Sequence, residues 1–212
     1  MNTEQLIHTL AVDMDRRERR VGSVFATALA AGATISTAVF FAWLGFRHDI
    51  DTAIYNPFFD LKFLVTIALS FSAATIGLHL SRPEASLAGW SWPLLIPAAL
   101  LAFGIASEMM LPQRLPWATR LIGSNSKICT TAIPLLSLPL LAATLAALSH
   151  GAPTRPALAG AFAGLLSGGL AATLYASQCT DDSPLFVVTW YSIAIAMVTL
   201  LGALIGRKVL RF

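Results

Sequence analysis

Long apolar stretches alternate with short polar connections along most of this chain. Six stretches reach about 20 residues, the length that an α-helix needs to cross a hydrocarbon core of about 30 Å. Each stretch is therefore predicted to be a membrane-spanning helix. The predicted spans run from Gly22 to Phe46, Phe58 to Leu80, Gly89 to Leu111, Ile128 to Leu148, Ala157 to Gln178 and Pro184 to Arg207.

The connections between these stretches hold the residues that interrupt helices. In chain order they read "RHDIDTAIYNP", "SRPEAS", "PQRLPWATRLIGSNSK", "SHGAPTRP" and "CTDDSP". No further stretch remains from which a second soluble domain could be built. The sequence thus predicts an all-α fold, with a six-helix transmembrane bundle over residues 21–212 and a short N-terminal amphipathic helix within residues 1–20.

The composition agrees with a membrane protein. Hydrophobic residues make up 56% of the 212 positions and charged residues only 12%, well below the roughly 25% of a soluble domain. The charged residues lie mostly at the ends and in the connections, so the net charge of +3 reflects topology rather than a nucleic-acid footprint. We expect membrane lipid as a partner and no direct contact with nucleic acid.

The distribution of lysine and arginine predicts where the termini lie. Positive charges favour the cytoplasmic side of a membrane. If the N-terminus is cytoplasmic, that side carries nine of them and the other side five, so both termini are predicted to be cytoplasmic. The nine are Arg16, Arg17, Arg19, Arg20, Arg82, Arg155, Arg207, Lys208 and Arg211, and the five are Arg47, Lys62, Arg114, Arg120 and Lys127.

The N-terminal segment has an amphipathic pattern of its own. Thr3 can cap a helix, and the acidic residues and arginines lie away from its apolar stripe. Two interpretations are open: the helix lies on the membrane surface with its arginines against anionic lipid, or the stripe docks a soluble cytoplasmic partner. The stripe consists of Leu6, Ile7, Leu10, Ala11 and Met14.

Small residues recur every four positions in the fifth span. This stripe is formed by Gly160, Gly164, Gly168, Ala172 and Ala176. Small residues at that period allow helix backbones to approach closely, so the span is predicted to pack centrally in the bundle. Cys179 follows Ala176 by three positions and should point towards neighbouring helices as well.

The chain has two cysteines, Cys129 at the start of the fourth span and Cys179 at the end of the fifth. Because consecutive spans are antiparallel, both thiols should lie at one membrane face. Under the predicted topology that face is extracytoplasmic, where disulfides persist. Three interpretations stay open: two small buried hydrophobes, one switchable disulfide, or a soft metal bridged by both thiols with Asp181 or Asp182 as a further ligand.

The two carboxylates that follow Cys179 have a simpler interpretation. Ser183 can cap the sixth span and Pro184 is suited to its first position, where the helix dipole favours negative charge. We favour this role over metal ligation for Asp181 and Asp182, and predict no firm metal site.

Other function classes have less support. Glu108 and Lys62 lie near span ends, where placement at the membrane interface explains them. Together with the glycine-rich fifth span they make a small membrane transporter or channel the alternative, although no convincing internal repeat relates the two halves. No catalytic triad order, phosphate-binding loop or H-E-x-x-H occurs, so we expect no enzyme and no cofactor. The missing C-x-x-C disfavours a thiol oxidoreductase.

Four segments carry a resemblance to a known family. "NPFFDLK", "KIC", "HGAPTRPALAGAFAGLLSGGLAATLYASQCTDDSPLFVVTWY" and "GRKVLRF" resemble the NrsF-type negative regulators of an extracytoplasmic-function sigma factor. The resemblance extends over the whole chain and is most specific between His150 and Tyr191. The last residue is Phe212 where tryptophan is expected. The family pattern C-x-x-D/T-S-P-x-F-x-x-x-W-Y maps onto Cys179, Asp182, Ser183, Pro184, Phe186, Trp190 and Tyr191.

The resemblance implies an anti-sigma factor of the bacterial inner membrane, with Cys129 and Cys179 as the family's paired cysteines. We hypothesise that oxidants or thiol-reactive metals modify or link the two thiols, and that the resulting shift passes along the glycine stripe and releases the sigma factor from the N-terminal helix. The candidate sigma-binding residues are Leu6, Ile7, Leu10, Asp13, Arg16 and Arg17.

Overall fold

Six helices in the computed structural model are long and apolar enough to cross a membrane. The structure describes residues 3–81, 89, 91–112, 116–151 and 153–210, and before Gly22 it describes no side chain except that of Glu4. No strand occurs in these ranges, so the predicted all-α, six-span fold is confirmed. The candidate spans are Gly22–Trp43, Pro57–Leu80, Trp92–Met110, Trp117–Leu148, Pro156–Ala176 and Pro184–Val209.

The first helix, α1, runs without interruption over Thr3–Trp43, a length of 41 residues. The predicted N-terminal amphipathic helix is therefore continuous with the first span and has no boundary near residue 20. The reason is that arginine is a good helix former and that one exposed glycine, Gly22, costs a helix only about 1 kcal/mol. At 1.5 Å per residue, residues 3–21 extend the span by about 28 Å.

The second span begins soon after the first ends. Gly45, with φ 69°, reverses the chain after α1, and the short helix α2 (Ile50–Ala53) leads to α3 (Pro57–Leu80). The Asn56 side chain accepts a hydrogen bond from the Phe58 N–H, and Pro57 occupies the first position of the helix.

The third and fourth spans enclose a connection with a helix of its own. A 3₁₀ turn (Trp92–Leu94) opens α4 (Leu95–Met110), and α5 (Trp117–Ile122) precedes α6 (Ser126–Leu148). Gly123, with φ 60°, follows the last residue of α5 and separates that helix from α6. Helix α5 lies within a segment that the sequence predicts only as a connection.

The last two spans are α7 (Pro156–Ala176) and a composite helix. The composite begins with α8 (Pro184–Phe186), passes through a π-helical turn (Val187–Tyr191) and continues as α9 (Ser192–Val209). Helix α7 is central, since it packs against α3, α6 and α9.

The small-residue stripe lies between α7 and α9. A Cβ added to Gly164 would stand 2.5 Å from the Val198 carbonyl oxygen, and one on Gly168 would stand 3.3 Å from Ile195 Cγ2. Gly202 of α9 lies opposite Gly160 in the same way. The two backbones are thus in direct contact along antiparallel helices, a separation that larger residues would prevent.

The spans alternate in direction, which defines two faces of the bundle. The face that we call the cysteine face contains the end of α1, the start of α3, the end of α4, the start of α6, the end of α7 and the start of α8. Large apolar side chains such as Phe71, Phe103 and Leu200 point outwards along the spans and are exposed, as lipid-facing residues are.

Candidate functional site

Both cysteines lie in one buried cluster at the cysteine face. Cys129 and Cys179 are free thiols, and each is 0% exposed. Cys129 lies in the first turn of α6, where its N–H donates to the Asn125 carbonyl at 2.8 Å. Cys179 follows the end of α7 and its N–H donates to the Tyr175 carbonyl at 3.0 Å. Antiparallel packing of α6 and α7 brings the two positions to the same face.

Two buried tyrosines accompany the thiols. Tyr175 and Tyr191 belong to the same cluster, and their ring centroids are 5.9 Å apart. The Tyr191 hydroxyl interacts with the Cys179 thiol, although it makes no hydrogen bond of good geometry within the described part of the chain. Tyr191 ends the π-helical turn, and π-turns often occur where a helix places a functional side chain.

The Cys179 thiol is held in its protonated form. Burial raises the pKa of this thiol, while the Lys62 ammonium and a hydrogen bond to the Asp181 carbonyl act in the opposite direction. The reactive species in thiol chemistry is the thiolate, so the closed arrangement protects Cys179 from reaction. Reaction at this sulfur requires access and deprotonation.

Residues 179–183, which we call the cysteine loop, connect α7 to α8. Asp182 in this loop is paired with two cations: its Oδ1 lies 2.6 Å from Lys62 Nζ and 3.0 Å from Arg47 Nη1. The same two nitrogens donate to the Cys179 carbonyl, at 2.8 Å from Lys62 and 3.2 Å from Arg47. Asn56 donates to the other oxygen of Asp182 at 3.3 Å. The loop is therefore bound to the start of α3 and to the segment after α1.

Arg47 is itself held by a second carboxylate. Its Nε and Nη2 each donate to Asp49 at 2.7 Å, a two-point contact that fixes the guanidinium plane. The hydrogen bond from Arg47 lowers the pKa of Asp49 to about 2, so this pair stays ionised at any physiological pH. Asp49 faces solvent, whereas the Arg47 side chain is only 5% exposed.

Asp181 points in a different direction from Asp182. Its carboxylate accepts hydrogen bonds from the backbone N–H groups of Ser124 at 3.0 Å and Asn125 at 2.8 Å. These donors are the two residues that precede α6, so Asp181 joins the cysteine loop to the start of the helix that carries Cys129. Asp181 and Asp182 were predicted to act at the start of the sixth span, but they bind the residues before α6 and the two cations instead. Ser183 does cap α8, since its side chain accepts from the Leu185 N–H at 3.2 Å.

A second ion pair lies on the same face. Glu108 at the end of α4 is 2.7 Å from Arg120 of α5, and Ser183 donates to Glu108 at 2.7 Å. Trp190 adds a bond from its indole nitrogen to the Leu121 carbonyl at 2.9 Å. These contacts join α4 and α5 to the start of the sixth span.

The charges of this face are buried more deeply than their positions near span ends predict. The sequence predicts Lys62 and Glu108 at the membrane interface, but the structure buries them to 1% and 2% exposure and pairs both with opposite charges. Arg47 and Arg120 were counted only as positive charges against the predicted topology. Positive charges on the face where the topology disfavours them are themselves a sign of buried ion pairs. Three of those five charges, Arg47, Lys62 and Arg120, are paired with buried or part-buried carboxylates.

Among the described side chains, no group of three or more His, Cys, Asp and Glu is arranged to hold a metal ion. Asp182, a candidate metal ligand, is paired with Arg47 and Lys62. The side chains of the predicted sigma-binding residues lie outside the described part of the structure, although their backbone forms part of α1. Those residues are Leu6, Ile7, Leu10, Asp13, Arg16 and Arg17.

Fold and site together define a class: an all-α protein with six helices long and apolar enough to cross a membrane and with two buried thiols at an ion-paired loop. Residues 10–212 match the family described as "Negative regulator of sigma F". The chain is 34% identical to the anti-sigma-F factor NrsF of Caulobacter vibrioides and 34% identical to the probable anti-sigma-F factor NrsF of Azospira oryzae, with 100% of each chain covered in both cases. The chain belongs to the NrsF family. No solved structure matches it.

Proposed function

We propose that the protein is an anti-sigma factor of the bacterial inner membrane that holds an extracytoplasmic-function sigma factor at the cytoplasmic face and releases it when Cys129 and Cys179 react. Family membership supports the regulatory role. The observation that carries the thiol part is the burial of both cysteines in one cluster, at a loop that is bonded to α3, to α4, to the segment after α1 and to the residue before α6.

The orientation is part of the proposal. Both termini are cytoplasmic, which places the cysteine face outside. The positive charges of the opposite face support this, because Arg155, Arg207 and Lys208 are exposed and free to meet anionic lipid. Of the positive charges on the cysteine face, Arg47, Lys62 and Arg120 are paired with carboxylates and so oppose the topology only weakly.

The chemistry is the conversion of two thiols. A two-electron oxidant would take two electrons and two protons from Cys129 and Cys179, leaving one S–S bond. A thiophilic metal ion would instead displace the two protons and bind both sulfurs. Either product is larger or more constrained than the packed thiols, so the elements around them must move. A tenfold loss of sigma affinity corresponds to only about 1.4 kcal/mol, which such a change can supply.

The alternative of a transporter or channel has less support. Lys62 and Glu108, which a polar pathway would use, are engaged in ion pairs that bind the cysteine loop and the start of α8. Nothing in their arrangement favours a continuous path between the two faces.

Cysteine substitution tests the proposal. Serine is placed at position 129, at position 179 and at both, and sigma-dependent transcription is measured with and without a thiol oxidant. We expect oxidant to raise transcription in cells with the parent protein and to have no effect with the double variant at equal membrane abundance. A double variant that responds like the parent would show that the thiols are not the sensor.

A further inference from the structure

The segment after α1 is bonded to the chain on both sides of Cys179. The Arg47 N–H donates to the Ser177 carbonyl at 3.2 Å, before the cysteine. Its Nη1 donates to the carbonyl of Cys179 itself at 3.2 Å and to Asp182 at 3.0 and 3.1 Å, after the cysteine. Arg47 therefore binds the chain just before Cys179 with its backbone N–H, and it binds the cysteine loop with its side chain.

Helix α1 also packs along the helix that carries the other cysteine. Phe40 belongs to the same buried cluster as Cys129, and the Ser36 hydroxyl donates to the Leu136 carbonyl at 2.8 Å. Further along, a Cβ on Gly32 would stand 3.0 Å from the Pro139 carbonyl oxygen. Helix α6 therefore packs on α1 itself, and the cysteine loop is bonded through Arg47 to the segment that directly follows α1.

The same helix continues to the N-terminus. From Trp43 back to Thr3 it is one helix, so a tilt or shift at the cysteine face moves residues 3–21 on the other side of the bundle. The contact between α7 and α9, by contrast, is a direct backbone contact that permits little sliding, and α9 ends at Val209. Of the two helices, α1 is the one that leads to the proposed sigma-binding segment.

A change at Cys179 cannot leave Arg47 undisturbed. The thiol is 0% exposed, and packed interiors respond to added volume by moving between discrete arrangements rather than by gradual deformation. Displacement of the cysteine backbone moves the carbonyl that Arg47 shares with Lys62. Lys62 belongs to α3 and makes both of its bonds to the same loop, so it can keep Asp182 paired when Arg47 leaves.

We propose that Arg47 is a latch that joins α1 to the cysteine loop in the sigma-retaining state, and that its release from Asp182 and the Cys179 carbonyl transmits the thiol state along α1 to the N-terminal segment. This inference rests on the proposed function and assigns the coupling to α1 instead of the glycine stripe between α7 and α9. Arg47 acts through other groups and is a positioning residue.

The direct test is Arg47→Gln in the full-length protein, because it removes the link to α1 and leaves Asp182 paired with Lys62. We expect at least a tenfold rise in oxidant-free sigma-dependent transcription, with membrane abundance matched by adjusting expression. The rise should persist when Cys129 and Cys179 are both serine, since the latch acts after the thiols. The double variant Asp182→Asn with Lys62→Met, which leaves no lone buried ammonium, should reproduce the rise, and Arg47→Gln added to it should raise transcription little further.

The matched control is Lys127→Gln. It removes one positive charge from the same face, as Arg47→Gln does, but Lys127 is exposed and lies outside the cysteine loop and the segment after α1. We expect it to retain the sigma factor as the parent does. Sigma retained per mole of purified full-length protein in lipid nanodiscs provides the same comparison for a variant that accumulates poorly.

Two results would overturn the latch: transcription within twofold of the parent for Arg47→Gln at matched abundance, or equal release by the control. Failure of the proposed function has a different signature, since the parent itself would then retain no sigma factor or ignore oxidant.

Discussion

At the scale of single residues, the charges of the cysteine face are structural groups that share their partners. Asp182 binds two cations, and the Cys179 carbonyl accepts from the same two. Removing one partner of a buried pair usually costs about 3 to 5 kcal/mol when a lone charge is left behind. Shared partners reduce that cost at Asp182, because either cation can hold the carboxylate while the other moves.

Burial of the Cys179 thiol makes a prediction about its reactivity. In a Cys129→Ser background, alkylation of native Cys179 at pH 8 should be at least ten times slower than in the denatured chain. Because burial raises the pKa, the native rate should go on climbing after the rate of the denatured chain has levelled off, which for an ordinary thiol of pKa about 8.5 happens between about pH 9 and 10. Mass spectrometry of timed samples measures both rates, and a native rate that levels off at the same pH as the denatured chain, or at a lower one, would contradict the assignment.

Sequence reasoning located the two cysteines at one face but not the ion pairs above them. Helix direction alone brings Cys129 and Cys179 to the same side, so span order is sufficient for that inference. The pairing of Arg47 with Asp182 joins residues 135 positions apart and depends on which helices are neighbours. Hydrophobic pattern contains no information on neighbours, and a charge near a span end looks the same whether it is buried or interfacial.

At the scale of helices, the α7–α9 contact depends on the absence of side chains. Gly164→Ala should destabilise the protein by about 1 to 3 kcal/mol, because the new Cβ would stand 2.5 Å from a carbonyl oxygen of α9 and the helices must separate. Gly22→Ala is the matched control, since nothing lies within 4 Å of that position. Thermal unfolding in detergent compares the two, and equal stability of both variants with the parent would contradict close backbone contact.

Helix α1 shows what pattern could and could not predict about an element. The amphipathic stripe and the spanning stretch were both recognised, but their continuity was missed. A change of pattern from amphipathic to uniformly apolar does not itself break a helix. Residues 15–21 contain no proline or glycine, and the capping pattern that Asp15 and Glu18 could form is not used, since the helix runs through it.

The N-terminal part of α1 is the proposed sigma-binding segment. Deleting residues 1–14 should abolish co-purification of the sigma factor and leave insertion into the membrane intact, because the first candidate span begins at Gly22. Membrane fractionation provides the insertion control. Retained binding would move the partner site to the connections around Arg155 and around Arg82, the latter outside the described residues.

At the scale of the whole molecule, the proposed function assigns the thiols to one face of the bundle and sigma binding to the other. Topology is therefore open to a direct prediction. Alkaline phosphatase, which is active only outside the cytoplasm, should be inactive when fused after Phe212 or inserted after Thr154 and active when inserted after Asp51. The opposite pattern would place the cysteines in the reducing cytoplasm and remove the basis for a persistent disulfide.

The central claim is that the state of two buried thiols decides whether the sigma factor stays bound. The most direct measurement uses the full-length protein with bound sigma factor in lipid nanodiscs, titrated with a thiol oxidant. The fraction of sigma retained is compared with the fraction of chains modified at Cys129 and Cys179, determined by mass spectrometry. We predict that the fraction of sigma factor released equals the fraction of chains modified, and that no sigma factor is released when both cysteines are serine. Sigma factor that stays bound to fully modified protein, or that leaves the double serine variant at the same dose, would contradict the account.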